Sequence, residues 1–99
     1  MAENRERFLI VTFVDIEISL EAIKPLLDTA LDWLRIAPNS WILWTSSDPS
    51  VWMQYFRSYL GENGGVLIAE LNLSQVSVNY TGFLTKSMWT WIDKHRTTS

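Results

Sequence analysis

A run of nine residues near the start of the chain sets the class of fold, and it reads Phe8-Leu9-Ile10-Val11-Thr12-Phe13-Val14-Asp15-Ile16. Apolar side chains occupy both alternating sets of positions, so a strand here has no polar face to turn toward water. A short β-branched run that is apolar on both faces is typical of a central strand. The sequence therefore predicts a β-sheet with material packed on each of its faces.

The next segment has a helical period. Within residues 20–34 the apolar side chains fall on one stripe, made by Leu20, Ile23, Leu27, Ala30, Leu31 and Leu34. Asp28 and Asp32 lie off that stripe, which predicts that they face water. Pro25 predicts a loose first turn, a kink, or a helix that starts closer to the proline. The stretch from Leu34 to Ala37 fits either the end of this helix or a short strand, and periodicity does not choose between them.

The rest of the chain continues the alternation of strands and helices. Residues 40–46 are rich in β-formers and predict a strand. Residues 48–61 begin with an Asp-Pro pair and end at a glycine, which are typical start and stop signals of a helix. Residues 66–71 predict another buried strand, and the alternation over 76–80 predicts a further one. Residues 85–92 predict a short last helix capped by its threonine.

This order of elements predicts an α+β fold, and more narrowly a ferredoxin-like β-α-β-β-α-β sandwich. In that fold both main helices lie on one face of an antiparallel sheet, here followed by a C-terminal strand and a short helix. Residues 1–99 form a single domain, with a core at about 7–80 and a C-terminal docking segment at about 81–96. The second sheet face is also apolar, so either the C-terminal segment or a second subunit must cover it.

Composition limits the chemistry that the chain can perform. The 99 residues contain no cysteine and a single histidine, so a thiol nucleophile, a thiolate metal site and a two-histidine zinc site are excluded within one chain. The net charge is −3 and the basic residues are scattered, which gives no support to nucleic acid as a partner. No apolar run reaches the length of a membrane span, so we expect a cytoplasmic protein with no membrane partner.

Four short motifs, in this order, carry a resemblance to a known family. They are Val14-Asp15-Ile16 at the end of the first strand, Asp32-Trp33 followed by Asn39-Ser40-Trp41-Ile42-Leu43, the Ser46-Ser47-Asp48 cap, and the late strand from Gly65 to Leu71. The chain resembles the small ferredoxin-like proteins related to the CRISPR-associated endoribonuclease of spacer acquisition, especially their shorter SinR-like relatives. The resemblance covers roughly residues 8–80.

The resemblance implies a site and an assembly. It implies that residues 34–37 form a separate strand paired with residues 40–46, and that the protein is a homodimer. It also implies that Asp15 is a catalytic residue which, near its twofold mate, binds Mg²⁺ or Mn²⁺. Glu17 lies two residues further on and is predicted to share the strand face and to be a second ligand, since carboxylates are the oxygen ligands such ions prefer.

Three functions stay open on this sequence, and whether the chain is an enzyme stays open with them. Val14 replaces the hydroxyl aromatic that precedes the aspartate in active nucleases, and the loop after Asp15 lacks basic residues. The leading hypothesis is therefore a homodimeric interaction module with weak or no nuclease activity. The alternatives are a metal-dependent endonuclease on RNA or DNA using Asp15 across the dimer axis, and a small-ligand or regulatory domain. His95, near the chain end, is predicted to be a solvated helix residue.

Overall fold

Four strands and three helices make up the part of the protein that the computed structural model describes, which is residues 6–73 and 84–96. In chain order they are β1 (Arg7–Val14), α1 (Leu20–Leu27), β2 (Asp32–Ala37), β3 (Ser40–Thr45), α2 (Pro49–Leu60), β4 (Gly65–Leu71) and α3 (Lys86–Arg96). The α+β class is therefore confirmed. The strand predicted over residues 76–80 lies outside the described residues.

The strands form one antiparallel sheet in the order β2-β3-β1-β4. β1 pairs with β3 on one side and with β4 on the other, so the apolar run at the start of the chain is a central strand, as predicted. In the register of β1 with β3, Leu9 lies opposite Leu43 and Phe8 opposite Trp44. Because successive side chains alternate between faces, these two pairs mark the two sheet faces.

The first sheet face is covered by α1 and α2. Both helices direct apolar side chains at the sheet, and the main core consists of Leu9, Val11, Phe13, Ile18, Ile23, Leu27, Trp41, Leu43, Trp52, Phe56 and Leu60. Trp41, Trp52 and Phe56 are the largest side chains with essentially no exposure. At about 25 cal/mol per Å² of buried apolar area, rings of this size contribute most per residue to the core.

The second sheet face is covered in part by α3. Phe8, Ile42 and Trp44 from the sheet pack with Leu73 and with Ile92 from α3 into a second, smaller core. One of the two covers considered for this face, the C-terminal segment of the same chain, is thus present. Among the described residues, α3 does not reach the far end of the sheet, where Val14 and Leu67 are exposed.

The helix predicted over residues 20–34 is too long, and this prediction was wrong. α1 ends at Leu27, and the chain from Asp32 to Ala37 is β2, paired with β3 along its length. The helical spacing of apolar residues continues past Leu27 by coincidence. The strand is favoured because pairing with β3 supplies hydrogen-bond partners for backbone N–H and C=O groups that the end of a helix would leave without one. This assigns the stretch from Leu34 to Ala37 to a strand.

The helix starts follow the predicted signals with one difference. Pro49 is the first residue of α2, and Asp48 precedes it with extended backbone. The Asp48 side chain makes no capping hydrogen bond but accepts one from Arg7 Nη1 at 2.7 Å. At α3, the Met88 backbone N–H donates to Thr85 Oγ1 at 3.3 Å, as expected for a threonine cap. Among the described residues, no helix is long and apolar enough to cross a membrane.

Candidate functional site

The predicted metal ligands lie in the turn that follows β1, residues 15–19, which we call the acidic turn. β1 ends at Val14, so Asp15 and Glu17 do not share a strand face, and that prediction was wrong. Asp15 has a φ of 57°, in the left-handed region, and both carboxylates are exposed. Asp tolerates this conformation better than most residues because its short polar side chain can bond locally. The conformation of the turn thus gives Asp15 a structural role of its own.

The acidic turn is held from two sides by residues distant in sequence. Asn39, in the turn between β2 and β3, donates from Nδ2 to the Ile16 carbonyl at 2.6 Å. Its Oδ1 accepts the Ile18 backbone N–H at 3.3 Å. On the other side Gly64 lies so close that a Cβ there would be 2.7 Å from the Val14 carbonyl oxygen. These contacts fix where Asp15 leaves the sheet.

The acidic turn offers oxygen ligands but few of them. Asp15 and Glu17 are hard ligands of the kind that Mg²⁺ and Mn²⁺ prefer. Within residues 6–73 and 84–96 of one chain, no group of three or more acidic, histidine or cysteine side chains is placed to hold a metal ion. A metal at Asp15 would therefore need further ligands from outside the described residues of this chain, such as water, a substrate or another chain.

A second set of polar residues, which the sequence did not single out, lies where α3 meets the edge strand β2. We call it the Asp32 cluster, and it consists of Asp32, Trp44, Trp91, Lys94 and His95. Asp32 Oδ2 accepts hydrogen bonds from Trp91 Nε1 at 3.0 Å and from His95 Nε2 at 2.9 Å, with Lys94 Nζ at 3.5 Å. α3 thus directs three side chains to a single carboxylate oxygen.

The other oxygen of Asp32 is held by its own strand. Oδ1 accepts the Trp33 backbone N–H at 2.9 Å. Partial burial raises the cost of ionising this carboxyl, but the hydrogen bonds from His95, the Trp33 backbone and Trp91, with the charge of Lys94, outweigh it, so the pKa of Asp32 lies below its usual value. The folded state therefore favours the charged carboxylate.

His95 is enclosed by aromatic rings. Its side chain is 12% exposed, and its ring stacks on Trp44 with a centroid distance of 5.0 Å and an interplanar angle of 23°. The Trp91 ring meets it edge-on at 4.9 Å. The prediction that His95 is a solvated helix residue was therefore wrong, because α3 continues through His95 and packs its ring against Trp44 of the sheet.

One signal in the sequence could have found two members of the Asp32 cluster, although not their acceptor. Trp91 and His95 are four residues apart, a spacing that puts two side chains on one face of a helix. The missing information was the acceptor. Asp32 is 63 positions from His95, and the helical period had placed it on a solvated helix face. The cluster holds α3 against the sheet through charge-assisted hydrogen bonds to the Asp32 carboxylate.

A smaller charged group lies at the first residue of the sheet. Arg7 has a side chain only 10% exposed, and its Nη1 lies 2.7 Å from Asp48 Oδ1 and 3.8 Å from Glu70 Oε1. The ion pair with Asp48, the shorter of the two, joins β1 to the residue that precedes α2. The role of this charged group is to connect secondary-structure elements of the fold.

Comparison of the chain with family models, with curated proteins and with solved structures gives no significant match.

Proposed function

We propose that this protein is a homodimeric interaction module of ferredoxin-like topology, in which the open end of the second sheet face is the contact surface between two copies. The strand order β2-β3-β1-β4 and the two helices on the first face support that topology. The observation that carries the proposal is the exposure of two aliphatic side chains on this face. Val14 is 49% exposed and Leu67 is 66% exposed.

The register places these two side chains together. Val14 lies opposite Gly65, and Thr12 lies opposite Leu67, so Val14 and Leu67 are diagonal neighbours on adjacent strands. They flank the part of the face that α3 leaves open, at the end of the sheet away from Trp44. A twofold contact would use this patch twice, so each substitution changes both halves of the interface.

Replacing Leu67 with lysine is expected to weaken self-association at least about tenfold, because burying a leucine contributes roughly 1.5–3 kcal/mol and the change introduces like charges at the axis. Sedimentation velocity over a range of concentrations measures the effect. Leu31→Lys is the matched control, since Leu31 is 61% exposed but lies in the loop before β2, outside the patch. A wild type that stays monomeric throughout, or equal weakening by both variants, contradicts the proposal.

The endonuclease remains the second candidate because of where Asp15 lies. It directly follows Val14, so a dimer formed through this patch brings the two Asp15 residues toward the same axis. Their carboxylates, one from each copy, would then supply the charge that a divalent ion requires. The proposed interaction module does not require a metal ion. The two candidate functions therefore differ in whether activity depends on the Asp15 carboxylate.

Asp15→Asn separates the two candidates better than Asp15→Ala. Alanine at a φ of 57° adds backbone strain to the loss of charge, whereas asparagine tolerates the left-handed region. On labelled single-stranded RNA and duplex DNA with Mg²⁺, Mn²⁺ or EDTA, we expect wild type and Asp15→Asn to give the same background. Metal-dependent cleavage that is present in the wild type and lost in Asp15→Asn would make the endonuclease the function.

A further inference from the structure

α3 covers a surface of the sheet that is itself apolar and aromatic. Ile92 of α3 is 1% exposed, and beneath the helix lie Phe8 and Trp44, whose rings are 4.8 Å apart. Together with Ile42 they form the smaller core. Without α3 this surface would be open to water and would join the exposed patch at Val14 along the same face of β1.

The polar contacts that the structure shows between α3 and the sheet converge on one residue. Trp91, Lys94 and His95 all approach Asp32 Oδ2. Lys94 and His95 follow Trp91 by three and four residues, so each lies next to Trp91 on the helix surface. One carboxylate oxygen thus contacts three side chains near the end of α3.

We propose that the Asp32 carboxylate is a charge-dependent lock that holds α3 over the second face of the sheet, and that α3 opens from this face as a unit more often when the carboxylate loses its charge. The titratable groups that contact Asp32 within the described residues are Lys94 and His95, both from α3. On the adjacent strand β3, the residue opposite Asp32 is Trp44, which has no titratable group. Asp28 lies on the far side of Trp33, whose indole N–H it accepts at 2.9 Å.

The direction of the pH dependence follows from the chemistry of a carboxylate. Hydrogen bonds from α3 favour the ionised form of Asp32, so the folded pKa lies below the unfolded one. The stability that this group contributes is then complete above the unfolded value, ordinarily about 3.9, and is lost as the pH falls through the folded pKa. Acid therefore releases the lock. The hydrogen bonds and ion pair that Lys94 and His95 make with the Asp32 carboxylate are then weakened.

Amide hydrogen exchange tests the lock, with α2 as the internal reference. In Asp32→Asn near neutral pH we expect the protection factors of the α3 amides to fall at least about tenfold, because the charge-assisted hydrogen bonds to Asp32 are lost. The protection factors of the α2 amides should stay unchanged. Asp28→Asn is the matched control, since that carboxylate bonds Lys24 and Trp33 and not α3. It should leave α3 protection unchanged.

The pH series distinguishes a lock from ordinary acid destabilisation. As the pH is lowered through the carboxyl range, α3 protection in the wild type should approach that of Asp32→Asn, while the variant changes no more than its own α2. Binding of an apolar dye should rise in the same range as the aromatic surface opens. His95→Gln, which replaces the aromatic imidazole with a neutral amide donor and keeps Asp32, should lower α3 protection by a smaller factor. Unchanged α3 protection in Asp32→Asn, or an equal fall in α2 and α3, overturns the proposal.

Discussion

Replacing Gly64 with alanine is expected to lower the free energy of unfolding by about 2–5 kcal/mol, from the sum of backbone strain and overpacking. Gly64 has a φ of 67°, and an added Cβ would lie 2.7 Å from the Val14 carbonyl oxygen and 2.8 Å from Ile16 Cβ. Neither neighbour can withdraw easily, because one is backbone of β1 and the other is a side chain rooted in the acidic turn. The change therefore displaces the segment that carries Asp15.

Gly61→Ala provides a control that isolates the clash. Gly61 also has a positive φ, 62°, but a Cβ there would meet nothing within 4 Å. We expect it to cost only the strain, about 1–3 kcal/mol. Urea denaturation of both variants with equal slopes gives the comparison. If Gly64→Ala is no more destabilising than Gly61→Ala, that result contradicts the close approach of Gly64 to Val14 and Ile16.

The central strand could be predicted from the sequence because its signal is local. The apolar run at 8–16 has no polar face, and this alone requires cover on both sides of the sheet. Its end could not be predicted. Asp15 leaves the strand in a left-handed conformation because Asn39 and Gly64 hold the turn from elsewhere in the chain. The prediction that Asp15 and Glu17 share a strand face failed for that reason.

The first helix shows how tertiary pairing overrides periodicity. Leu31 and Leu34 continue the helical spacing of Leu27, so the pattern gave no reason to stop. In the structure Leu34 lies opposite Ile42 in the β2–β3 ladder. The family resemblance drawn from the order of the sequence motifs implied this strand, whereas periodicity left it open. Long-range pairing is information that a local window does not contain.

The Asp32 cluster could not be predicted because its members come from separate elements. The sequence did indicate that the apolar second face needs a cover and that the C-terminal segment was a candidate for it. Which residue would receive the donors of that segment depends on the register of β2 with β3, where Asp32 lies opposite Trp44. A one-residue shift of register would turn Asp32 to the other face.

Replacing Trp44 with alanine is expected to lower the free energy of unfolding by about 3–5 kcal/mol, the usual cost of removing a buried aromatic ring. Trp44 lies on the interior strand β3, is 7% exposed, and contacts Phe8 on the sheet as well as His95 on α3. Removing the ring leaves a cavity under the helix, because the sheet backbone on which it stands cannot collapse to fill it.

Trp44→Phe distinguishes two roles of the Trp44 ring, which are filling the core under α3 and stacking against His95. Phenylalanine keeps a face toward Phe8 and His95 but is smaller, so we expect a loss of roughly 1–2 kcal/mol. Thermal and urea unfolding measure both variants, and hydrogen exchange shows where the loss falls. Since Trp44 supports α3 and the central sheet together, alanine should reduce protection in both, unlike Asp32→Asn. A loss below about 1 kcal/mol for Trp44→Ala would mean that α3 does not bury this ring against the sheet.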